Sequence, residues 1–187
     1  TIFSWPTALF NRPLFPTRQF DIYPVLWLID EAPSAFPTLM HPTSAWPYGE
    51  LLVRIDSYVL LYLSWINHNF FSSFTIASML LWLGPVISAW AAEKCAHEGM
   101  GIARPWSILS GLFFAFSSIS ASAALEGHLY YLLNPWLPLL LKVLWESSEG
   151  RGGWKNGILA GCWFALSLFT SAYIGICAAF LVGWMGL

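Results

Sequence analysis

The pattern of polar and apolar positions divides the chain into two unequal parts. From residue 74 onward, long apolar runs alternate with short polar joints, and the runs are 74–92, 106–124, 129–145 and 157–183. A hydrocarbon core of about 30 Å takes roughly 20 apolar residues in a helix. Each run therefore reads as a transmembrane helix. Gly84-Pro85 predicts a kink in the first. The last run carries no charge after Lys155. At about 1.5 Å per residue it outreaches the core, so it must tilt or end before Gly183.

Residues 1–73 follow another pattern. Pro6, Pro13, Pro16, Pro24, Pro33, Pro37, Pro42 and Pro47 break the first fifty residues too often for a helix. The apolar stretch Phe20–Ile29 is too short to span. This part reads as an ordered loop held on the membrane surface by its Trp, Phe and Tyr. In 50–71, Arg54 and Asp56 sit near the start, and Asn67, His68 and Asn69 near the end. That arrangement predicts an interfacial amphipathic helix. The expected fold is an all-α integral membrane protein. It has an N-terminal segment, 1–73, and a transmembrane helical bundle, 74–187.

Composition agrees with this picture. Of 187 residues, 57% are apolar and only 10% charged, too few charges to cover a water-facing surface. The 12 Trp suit rings parked at membrane interfaces. A net charge of −2 argues against a nucleic-acid partner. Cys95, Cys162 and Cys177 lack metal-ligand spacing and read as buried free thiols. Thr1 in place of Met, and an end within an apolar stretch, are expected of a piece of a longer protein.

Lys94 and Arg104 lie in one joint, and Arg151 and Lys155 in another with Lys142 just before it. Two spans separate these joints, so they share a side, and the positive-inside rule makes it cytoplasmic. The N-terminal segment and the joint 125–128 then face outward. Asp30, Glu31, Glu50, Arg54, Asp56, Glu126 and His128 all fall on that extracytoplasmic face.

Several of these residues could carry chemistry. An acid such as Asp56 in an apolar stretch is costly unless paired or wetted. The bland reading is a surface pair with Arg54, although residues two apart on a helix face different ways. Glu126-Gly127-His128 could bind a phosphate or shuttle a proton, or simply be a polar joint. Asp30-Glu31 could hold a divalent cation, the candidate cofactor, or act as base. Gly157 and Gly161 form a GxxxG pair that predicts close helix packing. No phosphate-binding loop, nucleophile elbow, CxxC or HExxH motif occurs.

The order of these pieces resembles a known family. Pro47-Tyr48-Gly49-Glu50, Asp56 and Trp65-Ile66-Asn67-His68 come first. Ser110-Gly111-Leu112-Phe113-Phe114-Ala115-Phe116-Ser117, Gly127-His128-Leu129, Trp136-Leu137-Pro138-Leu139 and Ser171-Ala172-Tyr173-Ile174-Gly175 follow. Over about 45–180 the chain resembles the GT-C fold glycosyltransferases, which use polyprenyl-phosphate sugars. The resemblance implies sugar transfer at the outer face of a bacterial inner membrane. Asp56 would be the general base, with Asp30 and Glu31 as rivals. Arg54, Glu126, His128 and Tyr173 would bind substrate. Membrane lipid and a polyprenyl-phosphate sugar donor would be partners. Members of that family have more spans than the runs found here. The chain is therefore expected to be a fragment of such an enzyme, or a non-catalytic structural subunit packed with other membrane subunits.

Overall fold

The computed structural model describes Leu26, residues 40–41, 50–51, 58–67, 70–126 and 128–186. Met40–His41 (β1) and Glu50–Leu51 (β2) form a short antiparallel ladder that pairs Met40 with Leu51 and His41 with Glu50. Everything else that is regular is helical. In order come α1 (Tyr58–Asn67), α2 (Ser73–Lys94), α3 (Arg104–Ala115), α4 (Ser118–Glu126), α5 (Trp136–Ser148), α6 (Gly153–Thr170) and α7 (Ala172–Gly186). A π-helical turn, Cys95–Gly99, extends α2, and a 3-10 turn, Leu129–Tyr131, precedes α5.

Local chemistry sets the helix ends. Ser72 caps α2, its Oγ accepting the Thr75 amide at 3.3 Å. Pro105 sits in the first turn of α3 and Pro138 in that of α5, where a missing N–H is harmless. Gly152 begins α6 with φ +87°, a conformation that suits glycine.

Helix α2 packs on α3, α5 on α6, and α6 on α7. Gly111 of α3 lies against Ala89 and Glu93 of α2, and Trp136 of α5 stacks on Trp163 of α6 with centroids 5.9 Å apart. Leu140 and Val143 of α5 share a core with Ala178 of α7, flanked by Trp163 and Phe164. One end of the bundle thus gathers His128 and the start of α7. The other gathers Lys94, Lys142 and the start of α6.

Among the described residues, two helices are long and apolar enough to cross a membrane, by length and composition: Thr75–Gly99 and Arg104–Ala124. They match the first two predicted runs. Pro85 lies inside a continuous α2. The third run is a 3-10 turn, a non-helical stretch and the 13-residue α5, only about 20 Å long. The fourth run departs further from expectation, being two helices folded back on each other. Ser171 breaks it with extended backbone (φ −164°, ψ 143°), and its Oγ accepts the Tyr173 amide at 3.2 Å to start α7. Thr170 and Ser167 turn their hydroxyls back to the Leu166 and Trp163 carbonyls, both at 2.8 Å. The run is thereby divided between helices of 18 and 15 residues.

The expected interfacial helix is the ten-residue α1, which contains no charge. Arg54 and Asp56, which suggested its amphipathic character, lie outside the described residues.

The interior mixes small and hydroxylic residues with Leu, Ile and Val such as Ile76, Leu129, Leu132, Leu140 and Ile174. Ala77, Ala91, Ala178, Ser88, Ser107, Ser167 and Thr170 are buried. Phe113 (76% exposed), Phe180 (76%), Ile119 (76%) and Trp184 (82%) point outward. Cys95 is a buried free thiol as expected, but Cys162 and Cys177 are exposed on those apolar outer faces. Gly157 and Gly161 meet open space. Among the described residues the predicted GxxxG packing is therefore not used. The glycines that allow close approach are Gly84, Gly99, Gly111 and Gly175.

Candidate functional site

The end that holds His128 brings together His128, Tyr131 and Ser171. α4 closes at Glu126, and the chain turns back through His128, whose amide donates to the Ala123 carbonyl at 2.9 Å. The half-buried His128 ring packs edge-on to Tyr131, with centroids 5.7 Å apart. Ser171 Oγ reaches the Tyr131 hydroxyl at 3.5 Å. This brings the α6–α7 corner to the His128 turn. Tyr173, two residues on, is exposed.

Beneath this layer lies the break before α5. Its backbone groups need partners, because non-helical backbone at depth is tolerated only when satisfied. Ser88 supplies them. Its hydroxyl donates to the Leu132 carbonyl at 2.9 Å and accepts the Asn134 amide at 2.9 Å. Trp136 Nε1 donates to Thr170 Oγ1 at 2.8 Å. Asn134 Oδ1 is buried and has no hydrogen-bond partner among the described residues.

Beside the break runs an apolar cavity of about 420 Å³ between α1, α2, α5 and α6. Val59, Phe71, Leu83, Leu133, Trp136 and Leu166 are among its walls.

The predicted site residues are only partly brought together. His128 and the turn carrying Tyr173 share this end through Tyr131 and Ser171. Asp30, Glu31, Arg54 and Asp56 lie outside the described residues. So does the candidate cation position at Asp30-Glu31. Among the described residues, no group of three or more His, Cys, Asp or Glu is placed to hold a metal ion.

Sequence reasoning missed Ser88, Tyr131, Thr170 and Ser171. It also missed the ionic cluster at the opposite end. Glu98 binds Lys94 at 2.6 Å and Lys142 at 3.2 Å, and Lys142 reaches on to Glu146 at 3.3 Å. Arg151 Nη2 donates to the Gly99 carbonyl at 2.7 Å. Asn156 Nδ2 lies within hydrogen-bond range of the Val143 and Arg151 carbonyls and of Glu146. The signal was present in two i,i+4 pairs, Lys94/Glu98 and Lys142/Glu146. The cluster also shows that the two Lys/Arg-bearing joints meet at one end of the bundle.

No family model, curated protein or solved structure matches the chain.

Proposed function

We propose that this chain is a membrane-embedded helical bundle of the lipid-linked-sugar glycosyltransferase type, or a piece of one, working at its His128 end. The observation that carries the membrane part is the apolar outer surface. Ala, Ser and Thr share the interior with Leu, Ile and Val, while large side chains such as Phe113, Phe180, Ile119, Trp154 and Trp184 face out. In water the large apolar side chains would be buried first. In lipid, close packing through small residues is the favoured arrangement.

A second feature supports it. Trp90, Trp106, Trp154 and Trp184 come from four different helices, are all exposed, and collect at the Lys142 end. Such a belt suits a membrane–water interface. With Lys94, Arg104, Arg151 and Lys155 at the same end, the positive-inside rule assigns that end to the cytoplasm. The His128 end and the N-terminal segment then face outward, across a bacterial inner membrane.

The finer reading rests on the order of sequence motifs and on the apolar cavity beside the His128 layer. A cavity walled by Phe71, Leu83 and Trp136 suits an isoprenoid chain. His128 and Tyr131 could meet a phosphate, and Asp56 would take the acceptor hydroxyl's proton as the lipid phosphate departs.

The test is transfer from a polyprenyl-phosphate sugar in membranes expressing the full-length protein. Asp56→Asn is expected to abolish transfer while the protein stays carbonate-resistant in the membrane. Retained transfer removes Asp56 from the mechanism. If the wild type inserts but transfers nothing, the non-catalytic subunit is the correct reading.

A further inference from the structure

We propose that the Lys142 end holds an anionic phospholipid, one acyl chain lying in the groove between α3, α5 and α7 and the headgroup on Arg104. The inference rests on the membrane reading above. The groove has a volume of about 530 Å³. Ala96, Phe114, Leu141, Phe180 and Trp184 are among its walls. It extends from Leu137 and Pro138, in the first turn of α5, to Met100 and Ile102 in the α2–α3 joint. That is the long axis an acyl chain needs, ending at the Trp belt.

Charge decides the headgroup. The acids at this end already have partners within the protein. Glu98 is held by Lys94 and Lys142, Glu146 by Lys142, and Glu149 by Arg151 and Trp145 Nε1. Glu93 accepts from Ser107 Oγ at 3.4 Å. Arg104 is exposed and makes no ion pair among the described residues. It follows the groove residue Ile102 by two positions and precedes the exposed Trp106 by two. A guanidinium at belt depth meets lipid phosphates, and a fixed fork suits their oxygens.

Lys155 provides an internal control. It too is exposed and unpaired among the described residues at this end, but no residue of its helix α6 lines the groove, whereas Ile102, Ser110 and Phe114 on either side of Arg104 do. A built site should depend on Arg104 far more than on Lys155, whereas diffuse attraction should weigh them alike.

The full-length protein is reconstituted in bilayers of equal phosphatidylglycerol and phosphatidylcholine, extracted in mild detergent, and its retained lipid weighed by mass spectrometry. Wild type is expected to retain phosphatidylglycerol about fivefold over phosphatidylcholine, the worth of one interfacial cation. Arg104→Gln should bring that ratio near one and Arg104→Lys should keep only part of it, while Lys155→Gln keeps most of it. Cys177→Trp, which fills the groove, should lower retention of both lipids. Equal retention by the wild type overturns the site, and so do equal losses from Arg104→Gln and Lys155→Gln. Wild-type protein released from vesicles by carbonate overturns the membrane reading itself, a separate failure.

Discussion

Ser88, in the middle of α2, donates its hydroxyl to the carbonyl of Leu132, a residue 44 positions further on, at 2.9 Å. The same oxygen accepts the Asn134 amide. One side chain therefore satisfies both sides of the turn that breaks the third apolar run. Ser88→Ala leaves a buried carbonyl and a part-buried amide without partners, which costs about 2 kcal/mol or more. Thermal unfolding in detergent should show the Ser88→Ala midpoint clearly lowered and that of Ser88→Thr less so. An unchanged midpoint would show that the turn finds its partners elsewhere.

Gly84 lies one turn before Ser88 on the same face of α2. A Cβ there would stand 3.0 Å from the Leu132 carbonyl carbon and 3.1 Å from its oxygen. The obstacle is backbone and cannot swing aside, so Gly84→Ala should destabilise by about 1–3 kcal/mol. Gly157 and Gly161 meet open space. Their Ala variants should be neutral, or stabilising by a few tenths of a kcal/mol through helix propensity. The same unfolding assay on three single variants separates glycines that pack within the chain from those that do not.

The contrast shows how far the sequence can be read. Apolar run length located the two helices that are long and apolar enough to cross a membrane, because crossing sets a minimum length. The break at Ser171 was hidden, because Ser, Thr and Gly are tolerated inside a membrane helix and end one only through tertiary contacts. Here those contacts are the Trp136–Thr170 and Tyr131–Ser171 hydrogen bonds. The GxxxG signal misled for a related reason. Spacing says that two glycines share a face, not whether a partner covers it. Of the site, His128 was legible as an ionisable group in a short joint. Ser88 and Tyr131 were not, since their roles depend on contacts between distant segments.

Lys142 tests the ionic cluster. It bridges Glu98 and Glu146 from a side chain that is 20% exposed, with Glu146 at 17%. Charges near the membrane are tolerated when paired, and removing one partner strands the others. Lys142→Met should therefore destabilise by about 2 kcal/mol, a value discounted from that of a fully buried pair. Lys142→Met combined with Glu146→Gln should recover part of the loss. Additive losses in the double variant would show that Lys142 and Glu146 do not act as a pair.

The free thiols test directly whether the apolar outer surface meets lipid. Cys95 is buried, whereas Cys162 and Cys177 are exposed on the outer faces of α6 and α7. Around them the outer residues are apolar, such as Leu159, Ile176 and Phe180. If those faces meet water, a charged maleimide should label Cys162 and Cys177 at once and leave Cys95 alone. If they meet hydrocarbon, neither the reagent nor the thiolate it requires is present there. All three cysteines should then stay unlabelled in intact membranes and react together after denaturation in SDS. Mass spectrometry of the labelled chain distinguishes the outcomes by residue. Rapid labelling of Cys162 and Cys177 in intact membranes would place α6 and α7 in water and end the reading of this bundle as membrane-embedded.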